Sequence, residues 1–506
     1  MTTSTENGPK TADIIIIGGG VIGASIAYSL CRYELSVILL EKQNDVALGA
    51  TRANSGIVHA GYDPPPDSLM ASLNVEGAAL MESVCRDLDV LYFKCGSLLV
   101  ASGEQEDKVV QDLYERGSQN GVKGLEVLSG DEARLHEPAL TSAITSALYA
   151  PSAGIVNPWE LCIGMSEVFV RCGGRVMLNS EVASIERSDE GFLVRTSSGD
   201  YLAKRVISAA GLYSDIVHKM VAEEDFSILP SRGEYYLLDK SQGSAINGVI
   251  FGCPTPETKG VLIARTVHGN LIVGPSSESI SDRDDTATTA AKMTEIKSRS
   301  SELIPSIRFR DNIRNYSGIR ANPSTKEFIL REIPSVPGFF EAAGIKSPGL
   351  AASIAIGRYM TGLLKNSGLV LCEKQSVRDH PDLLKRRVVR FSRMSPEAKK
   401  ALVASDSRYG RIVCRCETVT EGEVLDAIHS PIPARTIDAV KRRTAAGLGR
   451  CQGGFCGPRI ATLLASELDM IPTEILQDKQ GSYIFTGPTK DTEVTTCAIP
   501  ANEVKL

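Results

Sequence analysis

The sequence predicts an α/β protein: a Rossmann-like dinucleotide-binding domain, a second, mainly antiparallel sheet inserted into it, and a small helical module near the C-terminus. Three observations carry that prediction. Gly18-x-Gly20-x-x-Gly23 joins an apolar run to a stretch of small residues. The middle of the chain holds short alternating segments punctuated by Gly, Pro and Asp. Cys414-Arg415-Cys416 and Cys451-Gln-Gly-Gly-Phe-Cys456 place four thiols close to the end.

The first element is the buried strand Ile14 to Ile17, followed by a small-residue helix, Ala24 to Leu30, and a second strand, Ser36 to Glu41. In this context Gly18 permits a tight turn, Gly20 lets backbone approach a pyrophosphate, Gly23 lets helix pack on strand, and the helix N-terminus offers amide donors. Glu41, 23 positions after Gly18, is placed to accept ribose hydroxyls. Residues 14–31 are nearly long enough and apolar enough to span a bilayer, but isoleucines running into glycines read as a buried parallel strand entering a helix.

Asn54-Ser-Gly-Ile-Val-His-Ala-Gly61 follows the second strand closely, where a plain nicotinamide domain has its next crossover. Asn54 and Ser55 are thus candidates to cradle a flavin, although the residues alone leave FAD and NAD open. Val176 to Ile185 reads as a strand pair, bringing Val182 to the cofactor, and Val206 to Ser214 returns from an apolar strand to a turn at Gly211. A cofactor reached from segments near 18, 41, 55, 182, 211 and 345 is long. Gly344-Ile-Lys-Ser-Pro-Gly349 opens a small helix, Leu350 to Gly357, making Gly344, Lys346 and Gly349 candidates at its far end.

Leu69 to Leu88 and Glu104 to Gln119 have helical periodicity and read as packing elements. Gly96 to Val100, Ser146 to Ala150, Gly233 to Leu238, Gly260 to Arg265 and Leu271 to Gly274 read as strands of a substrate sheet built from inserts at about 90–160 and 225–335. The discontinuous cofactor and substrate domains span 11–370. A polar run, Glu373 to Asp382, and the basic stretch Lys385 to Arg390 mark a linker over 371–410. The metal module covers 411–470, and 471–506 form a C-terminal extension.

The chain has 506 residues, a formal charge of −6 and an ordinary balance of apolar and charged residues, so it supports several cores and excludes wholesale disorder. Its basic patches, Lys385 to Arg390 and Lys441 to Arg450, lack interleaved aromatics and argue against nucleic acid; the second suits an anionic cluster or an electron-transfer partner. Twelve cysteines, eight of them scattered, do not form a secreted disulfide framework. With a polar start lacking an apolar signal core, the expected setting is cytoplasmic.

Cys414, Cys416, Cys451 and Cys456 supply four soft ligands, with 34 residues between the inner two. That number and type suit zinc or an iron–sulfur cluster. Helices at Thr420 to His429, Thr436 to Arg442 and Pro458 to Ala465 enclose them. For catalysis, His59 sits in a small-residue loop and is the candidate base; an ordinary hydrogen-bonded histidine is the competing reading. Tyr235 and Tyr236 are consecutive in a strand, so only one faces a pocket. Arg320, after a Ser-Gly turn, suits a bidentate anion contact, against a solvent ion pair.

Residues 11–370 resemble the glycine-oxidase/D-amino-acid-oxidase superfamily of FAD enzymes, particularly the branch containing L-2-hydroxyglutarate oxidase and the large subunit of anaerobic glycerol-3-phosphate dehydrogenase. The resemblance rests on Asp13 to Gly23, Asn54 to Gly61, Arg232-Gly-Glu-Tyr-Tyr236, Gly318-Ile-Arg320 and Gly344 to Leu350. Residues about 411–466 look like the BFD-type [2Fe–2S] domain. This resemblance implies FAD and a [2Fe–2S] cluster, with His59 beside the isoalloxazine, Arg320 and Lys346 at the substrate end, and the four cysteines on the cluster. It implies oxidation of an anionic secondary alcohol, sn-glycerol 3-phosphate or L-2-hydroxyglutarate, with electrons passed to a protein or quinone-linked acceptor. Another subunit could tether the chain peripherally to a membrane. Amine or amino-acid oxidation, and a pure electron-transfer subunit, are the alternatives.

Overall fold

The computed structural model describes residues 9–254, 260–487 and 490. Its organising strand is β1 (Lys10–Ile17), whose four isoleucines are buried because helices and loops cover both faces. It pairs in parallel with β2 (Val37–Leu40) on one side and with strand Gly199–Ser208 on the other. Gly199–Ser208 continues into an antiparallel meander with Gly191–Thr196 and Val182–Ser188. Arg175–Met177 extends the opposite edge beside β2, and Phe339–Ala343 with Ile329–Glu332 complete an eight-stranded sheet.

Residues 176–185 therefore do not fold back as a strand pair. Their two strands lie at opposite edges of the sheet, because Arg175–Met177 takes its ladder bonds from β2 while Ile185 packs with Phe192 and Val194 of the meander. The helix α1 (Val21–Leu30) starts directly after Gly20, ahead of the small-residue run that signals it. It packs against helices Pro158–Arg171 and Gly349–Asn366, the second of which is ten residues longer than the Leu350 to Gly357 segment seen in sequence. Tertiary burial of Met360 and Leu364 carries that helix past its small residues.

The second sheet has nine strands centred on Ile228–Leu238, which pairs antiparallel along its length with Asn312–Pro323. Leu271–Gly274, Leu262–Arg265 and Val249–Gly252 follow, then Ser97–Ala101, Ser146–Ala150 and Glu126–Ser129. Within this sheet only the contact between Val249–Gly252 and Ser97–Ala101 is parallel among the described residues. This sheet roofs the mouth of the first.

The C-terminal module is small. Strands Ile412–Cys414 and Val419–Thr420 lead into helix Glu421–Ile428, whose start is closed reciprocally by Thr420 and Glu423. Helices Ile437–Thr444 and Gly457–Glu467 complete it around Val424, Val440, Ile460 and Leu464. The preceding segment, 371–410, is held down along the cofactor domain. Glu34 N donates to Cys372 O at 2.8 Å, Arg386 meets Glu167 at 2.6 Å, and Arg390 meets Asp89 and Glu160 at 3.0 Å each. No helix among the described residues is long and apolar enough to cross a membrane.

Close helix packing is set by Gly77 of α2 (Leu69–Asp87), where a Cβ would stand 2.2 Å from the Ala351 carbonyl oxygen. A backbone oxygen cannot rotate aside as a side chain can. Gly77→Ala is expected to force the two helices apart and cost about 1–3 kcal/mol, read as a lower urea midpoint at unchanged denaturant slope.

Candidate functional site

A cavity of about 860 Å³ runs from the end of β1, beneath the second sheet, to the C-terminal module. That size is at the upper end of ligand sites, which span roughly 300–1,000 Å³. At one end Gly18 adopts φ +110°, and a Cβ there would meet the Ala209 carbonyl at 2.4 Å, so the turn requires glycine. Gly20 caps α1 without a side-chain acceptor, and only the Thr51 hydroxyl lies near where its Cβ would be, leaving backbone open to a ligand. Gly23 is not part of the wall; a Cβ there would overlap the Gly18 carbonyl, so it serves the helix–strand contact.

Glu41 lines the same end, accepting from the amides of Gly19 at 2.7 Å and Gln43 at 2.9 Å. Burial pushes its carboxyl above the usual range, and these amides partly offset that. Ser55, Val182, Gly211 and Gly349 also line the cavity, whereas Gly344 does not and instead packs on Pro323. Asn54 lines it too, but its side chain is spent on the loop: Oδ1 accepts from Gly56 N at 2.8 Å and Nδ2 donates to Thr51 O at 3.0 Å. The loop is further tied by Trp159 Nε1 donating to Arg52 O at 2.8 Å and by Tyr316 Oη donating to Asn54 O at 3.2 Å.

At the other end the wall brings together His59, Tyr235, Arg320 and Lys346. The His59 ring stacks on Phe251, centroids 5.4 Å apart, and its carbonyl accepts from Asn74 Nδ2 at 2.7 Å. Of the tyrosine pair, Tyr235 faces the cavity and stacks on Tyr316 at 4.9 Å, while Tyr236 points away and donates to Met293 O. Burial raises the Tyr235 phenol and the hydrogen-bonded Arg320 partly counters it. The Arg320 guanidinium lies over Gly233, where a Cβ would come within 2.4 Å of Nη2, and donates to Ser276 O at 3.4 Å. No carboxylate lies within 4.0 Å of it among the described residues. Such an unpaired, half-buried cation beside tyrosines is chemically an anion receptor.

Sequence reasoning missed several members of this wall. Arg265, His268, Arg299 and Arg314 join it from two strands, a turn and a helix, and no local motif signals their convergence. Burial depresses the His268 imidazole to about 4, so it is neutral at ordinary pH. Asp438, Lys441, Arg442, Leu448 and Lys479 also line the cavity, so the C-terminal half of the chain helps to close it.

The basic patch at 441–443 is thereby corrected. These three side chains turn inward. Arg442 meets Asp45 at 2.8 Å and Asp478 at 2.7 Å, and Arg443 meets Asp45 at 2.9 Å, all four residues being almost wholly buried. Helix Ile437–Thr444 turns this side toward the cofactor domain, and Asp45, in the loop after β2, is its counter-charge. Only Arg450 of the patch is exposed.

The four candidate ligand cysteines fall into two pairs. Cys416 and Cys451 have their sulfurs 3.9 Å apart, and Cys414 and Cys456 are in thiol–thiol contact. Contact with Cys456, joined by amide donors from Gly447, Glu417 and Cys416, brings the Cys414 thiol down to about 5. No three His, Cys, Asp or Glu side chains among the described residues are grouped to hold a single metal ion. Two thiol pairs fit a binuclear cluster in which each iron takes two thiolates.

A glycine-rich strand-to-helix turn, an acid at the next strand end and a long cavity under a second sheet define a dinucleotide-dependent oxidoreductase, here with a cysteine-ligated redox module. Residues 13–363 match the FAD dependent oxidoreductase (DAO) model, and the chain belongs to that family. Residues 412–466 match the BFD-like [2Fe-2S] binding domain. The chain is 43% identical to a glycerol 3-phosphate dehydrogenase of Caloramator mitchellensis over 94% of its own length and 99% of that protein. It is 35% identical to L-2-hydroxyglutarate dehydrogenase of Escherichia coli strain K12, over 52% of its own length and 64% of that protein. The dithionite-reduced, FAD-bound L-alpha-glycerophosphate oxidase of Mycoplasma pneumoniae superposes with a TM-score of 0.69 at 30% identity, covering 72% of this chain and 97% of that one. The protein is an FAD-dependent dehydrogenase with an associated [2Fe–2S] relay domain.

Asp45 yields a prediction. Its carboxyl lies at about 2 in the folded protein against an ordinary 3.8, despite burial, because Arg443 and Arg442 surround it. A depressed folded pKa means that its contribution is complete above pH 4 or so and is lost as pH falls toward about 2. Asp45→Asn is expected to cost about 3–5 kcal/mol at neutral pH, since both guanidinia stay buried. Urea unfolding across this range should also show a shallower acid dependence in the variant than in the parent.

Proposed function

We propose that this enzyme oxidises sn-glycerol 3-phosphate at its secondary alcohol to the ketone. The observation that carries this reading is the Arg320 guanidinium, which has no carboxylate partner among the described residues, in a cavity that also holds Lys346, Tyr235 and His59. Similarity to the Caloramator glycerol 3-phosphate dehydrogenase through both modules supports a phosphate ester over L-2-hydroxyglutarate, whose dehydrogenase is similar over about half the chain.

In this reading Gly18, Gly20 and the first turn of α1 take the pyrophosphate of FAD, Gly23 keeps that turn close, and Glu41 takes the ribose. Ser55, Val182, Gly211 and Gly349 line its length, while Asn54 and Gly344 shape the loops behind it. FAD, when bound, supplies the hydride acceptor. Arg320 grips the phosphate through parallel N–H donors, Lys346 adds a second positive charge, and Tyr235 steadies the guanidinium. His59 receives the hydroxyl proton as the C–H bond breaks, its ring orientation held by Phe251. Cys414, Cys416, Cys451 and Cys456 hold the [2Fe–2S] cluster, whose chemistry is one-electron carriage.

We assign residues 11–370 to the cofactor and substrate domains, 371–410 to a linker pinned on them, 411–470 to the cluster module and 471–506 to an extension. The setting is cytoplasmic, and the acceptor is a protein or quinone-linked carrier, with any membrane attachment made through another subunit.

Anaerobic addition of sn-glycerol 3-phosphate should bleach the flavin band, whereas L-2-hydroxyglutarate should leave it. Bleaching by the hydroxy acid alone, or by neither compound, would sink the assignment. His59→Gln is expected to slow flavin reduction ~10²–10⁴-fold with little change in substrate affinity. Arg320→Gln should instead weaken binding roughly 10–100-fold, as for loss of a charged hydrogen bond; stopped-flow reduction across substrate concentrations separates the two.

A further inference from the structure

The cysteine module has an inner and an outer side. Cys414 and Cys456 are buried, and the Gly447 amide donates to Cys414. A Cβ on Gly447 would touch the Lys441 stem at 3.8 Å, and Lys441 lines the cofactor cavity. This inner side is turned toward the cavity. The outer pair turns the other way, with Cys416 exposed and Cys451 half-buried.

Around the outer pair the surface is unusual for a chain of net charge −6. Phe455, inside the cysteine loop, is 85% exposed, and Arg415, Arg450 and Arg459 are exposed beside the ligand cysteines. The acids here are engaged: Glu417 meets Lys240 at 2.7 Å, Glu421 meets Arg411 at 2.7 Å, and Asp239 lies within the field of Arg450. Arg459 spends one N–H on Ile412 O at 2.7 Å. A bare aromatic ring on a cysteine module that also exposes three arginines has the composition of an interface centre, and the positive field of such a face steers a negatively charged partner.

We infer that the face formed by Phe455, Arg415, Arg450 and Arg459 is the docking surface for a small acidic one-electron carrier protein. The inference rests on the relay reading of the module. Each encounter moves one electron from the reduced cluster to the oxidised carrier. No bond is made or broken and no proton moves, so two encounters discharge the pair taken from one substrate molecule.

The test uses holoenzyme reduced with dithionite, which removes any dependence on the substrate assignment. An acidic blue-copper protein serves as acceptor and a basic cytochrome c as control, and a zinc-substituted, redox-inert form of the copper protein reports binding by calorimetry. The acidic carrier should bind and be reduced faster than cytochrome c, with both quantities falling as salt rises. Arg415→Gln with Arg450→Gln should lower its association rate about tenfold, while substrate bleaching of the flavin and the electron paramagnetic resonance signal of the cluster stay as in the parent. Phe455→Ser, a single change at a solvent-facing ring, should raise the dissociation rate and keeps the test available should the double variant lose its cluster.

Preference for cytochrome c, salt-independent rates, or parent-like rates in these variants would overturn the proposal. So would sedimentation with phosphatidylglycerol vesicles, abolished by the same substitutions, in place of carrier binding, because the face would then be a membrane surface. Absence of a [2Fe–2S] signal after dithionite would overturn the relay reading itself and this inference with it; failure of sn-glycerol 3-phosphate alone would leave the docking result standing.

Discussion

The contact between Asp45 and the paired guanidinia of Arg442 and Arg443 decides how the two halves of this enzyme meet. Asp45 sits just past β2, and two residues later the Ala47 amide bonds to Gly19 O, inside the glycine turn. The clamp therefore ties the cluster module to the most sharply determined part of the cofactor domain. A buried ion pair contributes little net stability once desolvation is counted. Its geometry is nevertheless demanding, because two buried cations tolerate few arrangements around one carboxylate. The result is a single docking of module on domain, with Asp438, Lys441, Arg442 and Leu448 becoming part of the cofactor cavity.

That docking links the two kinds of chemistry. Lys441, whose ammonium is disfavoured by burial and only partly supported by Asp438 at 2.6 Å, stands between cavity and cysteines. The remainder of the cavity divides by polarity. Near α1 the donors are backbone amides, which suit phosphates without costing side-chain entropy. Beneath the second sheet they are long cationic side chains beside stacked tyrosines, which suit an anionic substrate. Strand Ile228–Leu238 makes the difference, presenting Tyr235 inward and Tyr236 outward through the two-residue period of a pleated strand.

Much of this was legible in the chain itself. Gly18, Gly20, Glu41 and the four cysteines announce themselves by spacing, since a tight turn, a strand end and a thiolate set impose short-range rules on residue type. The helix Glu104–Gln119 and the strand Ser146–Ala150 likewise follow from local periodicity. Misreadings arose where a residue's environment comes from far away. Lys441, Arg442 and Arg443 look like a patch for an anionic cluster or an electron-transfer partner, and a carboxylate nearly four hundred residues earlier pairs with two of them in the interior. Val176 and Ile185 look like one hairpin, and the sheet inserts its other strands between them.

The sequence by itself determined the chemistry on offer: a dinucleotide turn, an acid at the end of the second strand, a small set of histidine, arginine and lysine candidates, and four soft ligands. Those follow from covalent spacing and backbone sterics, which act over a few residues. Tertiary structure alone decided which candidates share a cavity, that Arg320 lies beside Tyr235, and that the thiols come as an inner and an outer pair. These outcomes depend on long-range burial and charge compensation, and no local pattern encodes where a distant Asp45 or Phe251 will come to rest.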